Sequence, residues 1–143
     1  MQPFLVLASL FAFLLIPLGW WSALRIALAV MFLFTASAHW GRRRADLIRM
    51  VPPAFPRPDV MVTLTGVLEI MGAIGLVITP LAPYAAIGLT LLLIGIFPAN
   101  VRAARQHLTI DGRQATPLIL RAAIQIIFLV ATLAVTAGGL KPF

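Results

Sequence analysis

The sequence predicts an all-α transmembrane helix bundle, and three observations carry that prediction. The chain of 143 residues is 62% hydrophobic and only 10% charged, against roughly 25% charged residues in a soluble domain. Its mean hydropathy is +1.04, so a folded surface would remain too apolar for water and the bilayer serves as its solvent. The apolar residues fall into five runs, each near the roughly 20 residues a helix needs to cross a bilayer. A soluble enzyme is excluded by this composition. The length suits a single integral membrane domain over residues 1–143.

The first run covers residues 2–17. No basic residue precedes it, and no convincing small-residue cleavage site follows Pro17-Leu18-Gly19, so it reads as a short helix rather than a signal peptide. Trp20 and Trp21 follow at the place of an interfacial aromatic belt. The second run covers 21–40, with Arg25 near its start and able to snorkel outward. It ends in Thr35, Ser37 and His39. A basic gap comes next, with Gly41-Arg42-Arg43-Arg44, Asp46 and Arg49, and a short interfacial helix over 45–51. Prolines at 52, 53, 56 and 58 break that helix. The third run covers 59–79, with Asp59 as its N-cap. Pro80-Leu81-Ala82-Pro83 turns into the fourth run, 84–101, which Pro98 distorts near its end. A second basic gap, 102–116, holds Arg102, Arg105, His107, Asp111 and Arg113. The last run covers 117–137, with Pro117 in its first turn and Gly138-Gly139 as its stop.

The charge pattern gives an orientation. The net charge is +7, from 11 Lys and Arg against 4 Asp and Glu. In a soluble protein that excess would suggest nucleic acid. Here the arginines lie in the short gaps between apolar runs, where they act as topology signals beside anionic headgroups. No nucleic-acid partner is expected, and membrane lipids are. The two basic gaps are separated by two runs, so they share the cytoplasmic side. Five crossings then put the N-terminus inside and the C-terminus outside; if the first run does not cross, four core helices remain with both ends outside. The chain has no cysteine, which removes disulfides, thiolate nucleophiles and Fe–S ligation.

The functional signal is concentrated in the stretch 63–76, Thr-Leu-Thr-Gly-Val-Leu-Glu-Ile-Met-Gly-Ala-Ile-Gly-Leu. Glu69 is one of four acidic residues and falls mid-span. A carboxylate at that depth is costly, so it should face other helices and have a polar partner. Gly66, Gly72 and Gly75, in register with Glu69, let a neighbouring backbone approach. Three pairs share a helix face at i, i+4 spacing: Thr35 with His39, Thr65 with Glu69, and Arg121 with Gln125. Asn100 closes the fourth run. With about 1.5 Å rise per residue, Glu69 lies roughly 15 Å and Gln125 about 12 Å from the start of their helices. All seven fall in the cytoplasmic half and could line one polar pocket. Such a pocket suits a polar headgroup such as a quinone ring, with Glu69 exchanging a proton and His39 or Arg121 supplying hydrogen bonds. The structural alternative is interhelical hydrogen bonding, worth roughly 0.6 kcal/mol per pair. Thr35, Thr65 and Gln125 suit that alternative, because such side chains can bond to their own helix. Asn100 has a structural role open to it in satisfying carbonyls freed by Pro98. His39, Glu69 and the loop residue His107 define no metal site. No phosphate loop, serine triad or HExxH motif occurs.

Four segments together resemble the DoxX-like family of small bacterial membrane proteins. They are the His39-containing end of the second run, Met50-Val51-Pro52-Pro53, Leu64-Thr65-Gly66-Val67-Leu68-Glu69 with the glycines after it, and Phe97-Pro98-Ala99-Asn100-Val101. The likeness covers residues 25–137. It implies a four-helix membrane core over residues 20–138 in the bacterial inner membrane, with the first run, residues 1–19, as an extra N-terminal span. It also implies work beside membrane redox or stress-defence proteins, though the family has no agreed catalytic residues to carry over. Three functions stay open. The first is an accessory subunit of a membrane redox system with a quinone or lipid pocket around Glu69. The second is a quinone-reactive enzyme using Glu69 and His39. The third is a small proton-coupled transporter working as a homo-oligomer.

Overall fold

The computed structural model describes residues 2–110, 112–114 and 116–139. It is an all-α bundle of six helices: α1 (Gln2–Leu18), α2 (Trp20–Ser37), α3 (Arg44–Met50), α4 (Pro58–Val77), α5 (Ala82–Arg105) and α6 (Leu118–Gly139). A single 3₁₀ turn, Thr79–Leu81, joins α4 to α5. A two-residue antiparallel ribbon, β1 (Thr109–Ile110) with β2 (Arg113–Gln114), crosses the second basic gap. Asp111 lies outside the described residues. Helices α2, α4, α5 and α6 are long and apolar enough to cross a membrane. Helix α1 has 17 residues, about 26 Å at 1.5 Å per residue, a few ångströms short of a hydrocarbon core of about 30 Å.

The predicted boundaries move where local chemistry outweighs hydropathy. Helix α2 ends at Ser37, so His39 sits in the turn that follows. Helix α5 does not stop near Pro98 but continues to Arg105. Only the helical bond from residue 98 back to Ile94 is lost at a proline, and flanking contacts can hold the remaining turns. Its end is tied by Gln106 N–H to Arg102 O and Leu108 N–H to Ala103 O, with His107 at φ 48° between them. This is the six-to-one closure of a helix C-terminus, with histidine where glycine usually stands. The predicted N-cap Asp59 is instead in the first turn of α4, because Pro58 takes the first helical position and Arg57 precedes it. Gly138 and Gly139 remain helical in α6.

Gly19 alone separates α1 from α2, at φ 74°, a left-handed conformation that glycine adopts without Cβ strain. The chain doubles back there, and α1 packs mainly on α2. The core is built from small and medium side chains: Ala27, Leu28, Met31 and Phe32 of α2, Ala73 and Leu76 of α4, Ala86 and Leu89 of α5, and Phe128 and Val135 of α6. Arg25 does not snorkel. It donates to the carbonyls of Leu76 (3.2 Å) and Val77 (3.1 Å) and to Thr79 Oγ1 (2.9 Å), with its guanidinium 4.9 Å from the centre of the Trp21 ring. It therefore caps the C-terminus of α4, where the open carbonyls and the helix dipole both favour a cation.

The glycines of α4 do not make one seam. A step of three residues turns a helix by 300°, so successive members rotate by about −60° around the axis. Gly72 and Gly75 face α5: a Cβ on them would lie 2.5 Å from Leu89 Cδ2 and 2.7 Å from Ala85 Cβ. Gly66 faces the end of α2, where a Cβ would lie 2.8 Å from His39 and from the Trp40 ring. Thus α4 and α5 are pressed together beside their connecting turn. At the other end of the pair, a Cβ on Gly95 of α5 would meet nothing within 4 Å.

Candidate functional site

Glu69 is buried, at 5% exposure, and its two oxygens are both engaged by the end of α2. Thr35 Oγ1 lies 2.7 Å from Oε2, and His39 Nε2 lies 3.4 Å from Oε1. The i, i+4 spacing of Thr35 and His39 brings both to one carboxylate even though the helix has ended before His39. Gly66 makes this approach possible, because any larger residue would strike the imidazole. The other ring nitrogen, Nδ1, is 2.7 Å from Val62 O and 3.4 Å from Thr65 Oγ1. Thr65 Oγ1 also reaches the carbonyls of Met61 (3.0 Å) and Val62 (3.1 Å). Arg44 holds the turn from outside through His39 O at 2.8 Å and Thr63 Oγ1 at 3.0 Å.

This geometry constrains the protons. Val62 O can only accept, so Nδ1 carries a hydrogen. Nε2, 3.4 Å from Oε1, sets an ionisable partner beside the buried carboxylate, the arrangement under which such a group is tolerated away from water.

A cavity of about 180 Å³ lies beside it. His39, Thr65 and Asn100 are its polar lining. Met50, Phe55, Met61 and Pro98 contribute apolar wall, and Gly95 contributes bare backbone. Glu69 is not in that lining and connects to it only through His39. Arg121 and Gln125 do not join Glu69 either, so the single polar pocket expected from the sequence breaks up: Asn100 pairs with Arg121, and Gln125 bonds a backbone carbonyl. Arg121 donates to Asn100 Oδ1 (2.9 Å) and to Thr116 O (3.1 Å), while Gln125 Nε2 donates to Leu93 O at 2.5 Å. The guanidinium orients the amide of Asn100: Oδ1 faces Arg121, leaving the Nδ2 donors for other partners. Of these three residues only Asn100 also lines the cavity.

Sequence reasoning missed two contributors. The strap between α3 and α4 supplies Val51, Pro52 and Phe55 to the lining, and Arg102 pins it by donating to Val51 O at 2.7 Å. Thr90 and Thr132, buried and 2.8 Å apart, link α5 to α6. Long-range side-chain bonds of this kind have no local signature in the chain. Among the described residues, no three His, Cys, Asp or Glu side chains gather closely enough to hold a metal ion.

No curated protein and no solved structure matches the chain. A family model does match, over residues 28–136, a range that takes in α4, α5, the strap and all seven polar residues expected at the pocket. The chain therefore belongs to the family described as Domain of unknown function (DUF8561).

Proposed function

We propose that this protein is a membrane-embedded binding subunit for a small ring-headed amphiphile of the quinone class, serving a membrane redox system. The observation that carries the reading is the placement of His39: it lines the cavity and hands its second nitrogen to the buried Glu69. A ligand carbonyl would meet the Asn100 amide donors, and a ligand hydroxyl would meet Thr65 Oγ1. The His39–Glu69 pair lies within one residue of either. A cavity of about 180 Å³ compares with the roughly 150 Å³ that admits a benzene ring and falls short of the 300–1,000 Å³ usual for whole drug-sized ligands. A single ring fits that size. The likeness to DoxX-like proteins supports a bacterial inner-membrane setting and an accessory role. The arginines of both gaps support placing them, with the cavity end, on the cytoplasmic face.

The test is heat protection of the purified protein by a tail-less benzoquinone. Wild type gains stability that rises with ligand concentration, by about 2.7 kcal/mol at 100 times Kd. His39→Gln, which keeps a polar side chain but cannot ionise, loses most of that gain. No protection of wild type at any soluble concentration removes the quinone reading and leaves a scaffold. Proton-driven efflux abolished by Glu69→Gln, without quinone protection, would replace it with a transporter.

A further inference from the structure

We infer that the cavity opens sideways into the bilayer at Gly95, and that its ligand is an amphiphile whose ring occupies the cavity while an apolar tail leaves past that glycine. The inference rests on the binding role proposed above and names the kind of molecule bound. It starts from the shape of the α4–α5 pair. The two helices touch tightly at Gly72–Leu89 and Gly75–Ala85 and part toward the other end, where Met61 and Thr65 of α4 stand opposite Gly95 and Pro98 of α5 across the cavity. Gly95 both lines that cavity and is exposed, with nothing within 4 Å of where its Cβ would be. A missing side chain thus joins inside to outside.

The outer surface at that point is lipid-facing. Leu91 and Ile94, beside Gly95 on α5, are 64% and 55% exposed. Gly95 lies ten residues before Arg105, the last residue of α5, about 15 Å along the helix, so the opening is at hydrocarbon depth. The other way out runs through the strap, which is proline-rich, carries Phe55 and is pinned at Val51 by Arg102. A cavity with room for one ring leaves the rest of a membrane ligand outside it. At Gly95 nothing stands within 4 Å of the Cβ position, and a tail leaving there enters the phase an isoprenoid or acyl chain prefers.

The experiment compares two probes on the full chain in lipid nanodiscs: a benzoquinone without a tail, and the same ring bearing a long isoprenoid tail. Gly95→Leu fills the opening, and the space around Gly95 lets the variant fold. Gly88→Leu is the control, since Gly88 lies two turns away on α5, is also exposed with empty space at its Cβ, and does not line the cavity. Gly95→Leu is expected to weaken the tailed ring at least tenfold more than it weakens the tail-less ring, with Gly88→Leu unchanged for both. Equal binding of the tailed ring by wild type and Gly95→Leu overturns the inference while the binding role stands. Equal losses from Gly88→Leu and Gly95→Leu also overturn it, pointing to a face that meets a second copy of the chain. Failure of wild type to bind either ring removes both.

Discussion

Two seams of the bundle solve the same problem with different chemistry. Between α5 and α6 the polar contacts are uncharged at depth: Thr90 with Thr132, and Gln125 with Leu93 O. Each threonine also bonds its own helix, Thr90 to Ala86 O and Thr132 to Phe128 O, so nothing is left wanting. Between α2 and α4 the contact is a carboxylate with an imidazole, backed by a threonine and set against a cavity. Neutral pairs are the economical way to bond helices in a membrane. An ionisable pair gives no more cohesion for its desolvation. The contrast sets a seam of neutral contacts against one built on an ionisable pair.

The sharpest way to break that contrast is to truncate one partner. Glu69→Ala leaves His39 Nε2 and Thr35 facing a void. By the usual cost of orphaning half of a buried pair, about 3–5 kcal/mol of stability is lost, read as a lower thermal midpoint in detergent. The double variant His39→Leu with Glu69→Met removes the whole pair at similar volume and should fall much less, or not at all. If the double variant is as unstable as the single one, the pair is structural and the two seams differ only in kind of glue.

The next effect is steric. Gly66→Ala places a methyl 2.8 Å from the imidazole and should cost about 1–3 kcal/mol as overpacking, while also displacing His39 from Glu69. Gly88→Ala, with empty space around it, should instead gain about 0.5–1 kcal/mol from lower chain entropy. Opposite signs at two helical glycines, measured by the same unfolding assay, would sharpen the distinction between packed and open faces.

The smallest effect belongs to the neutral seam. Thr132→Val keeps the shape and deletes one interhelical bond, so about 0.6 kcal/mol is expected. A loss matching that of Glu69→Ala would erase the difference between the seams.

Much of the fold was legible in the chain, and the reasons are local. Each run of apolar residues must satisfy its own backbone in lipid, which makes it a helix. Glu69 announced a need for partners by depth alone, and Thr35 and His39 announced a shared face by spacing. Other expectations failed where a distant residue intervened. Arg25 looked like a snorkelling cation until the C-terminus of α4 offered it three acceptors. The fourth run was expected to end at 101, distorted by Pro98, but α5 continues to Arg105. Arg121 and Gln125 looked like neighbours of Glu69, but α6 packs chiefly on α5 and gives them other partners.

What the sequence by itself determined is that these helices form, roughly where they start and stop, and that an acid in their midst requires company. Tertiary structure alone decided which company. The rotation of each helix about its axis gathers Thr35, His39, Thr65 and Glu69, pairs Asn100 with Arg121 and gives Gln125 a backbone carbonyl, closes α4 on α5 at one end and leaves a ring-sized space at the other. That rotation follows from side chains far apart in the chain meeting in space, Gly72 on Leu89 or Gly66 on His39, and such meetings depend on the summed packing of all the helices rather than on any one segment.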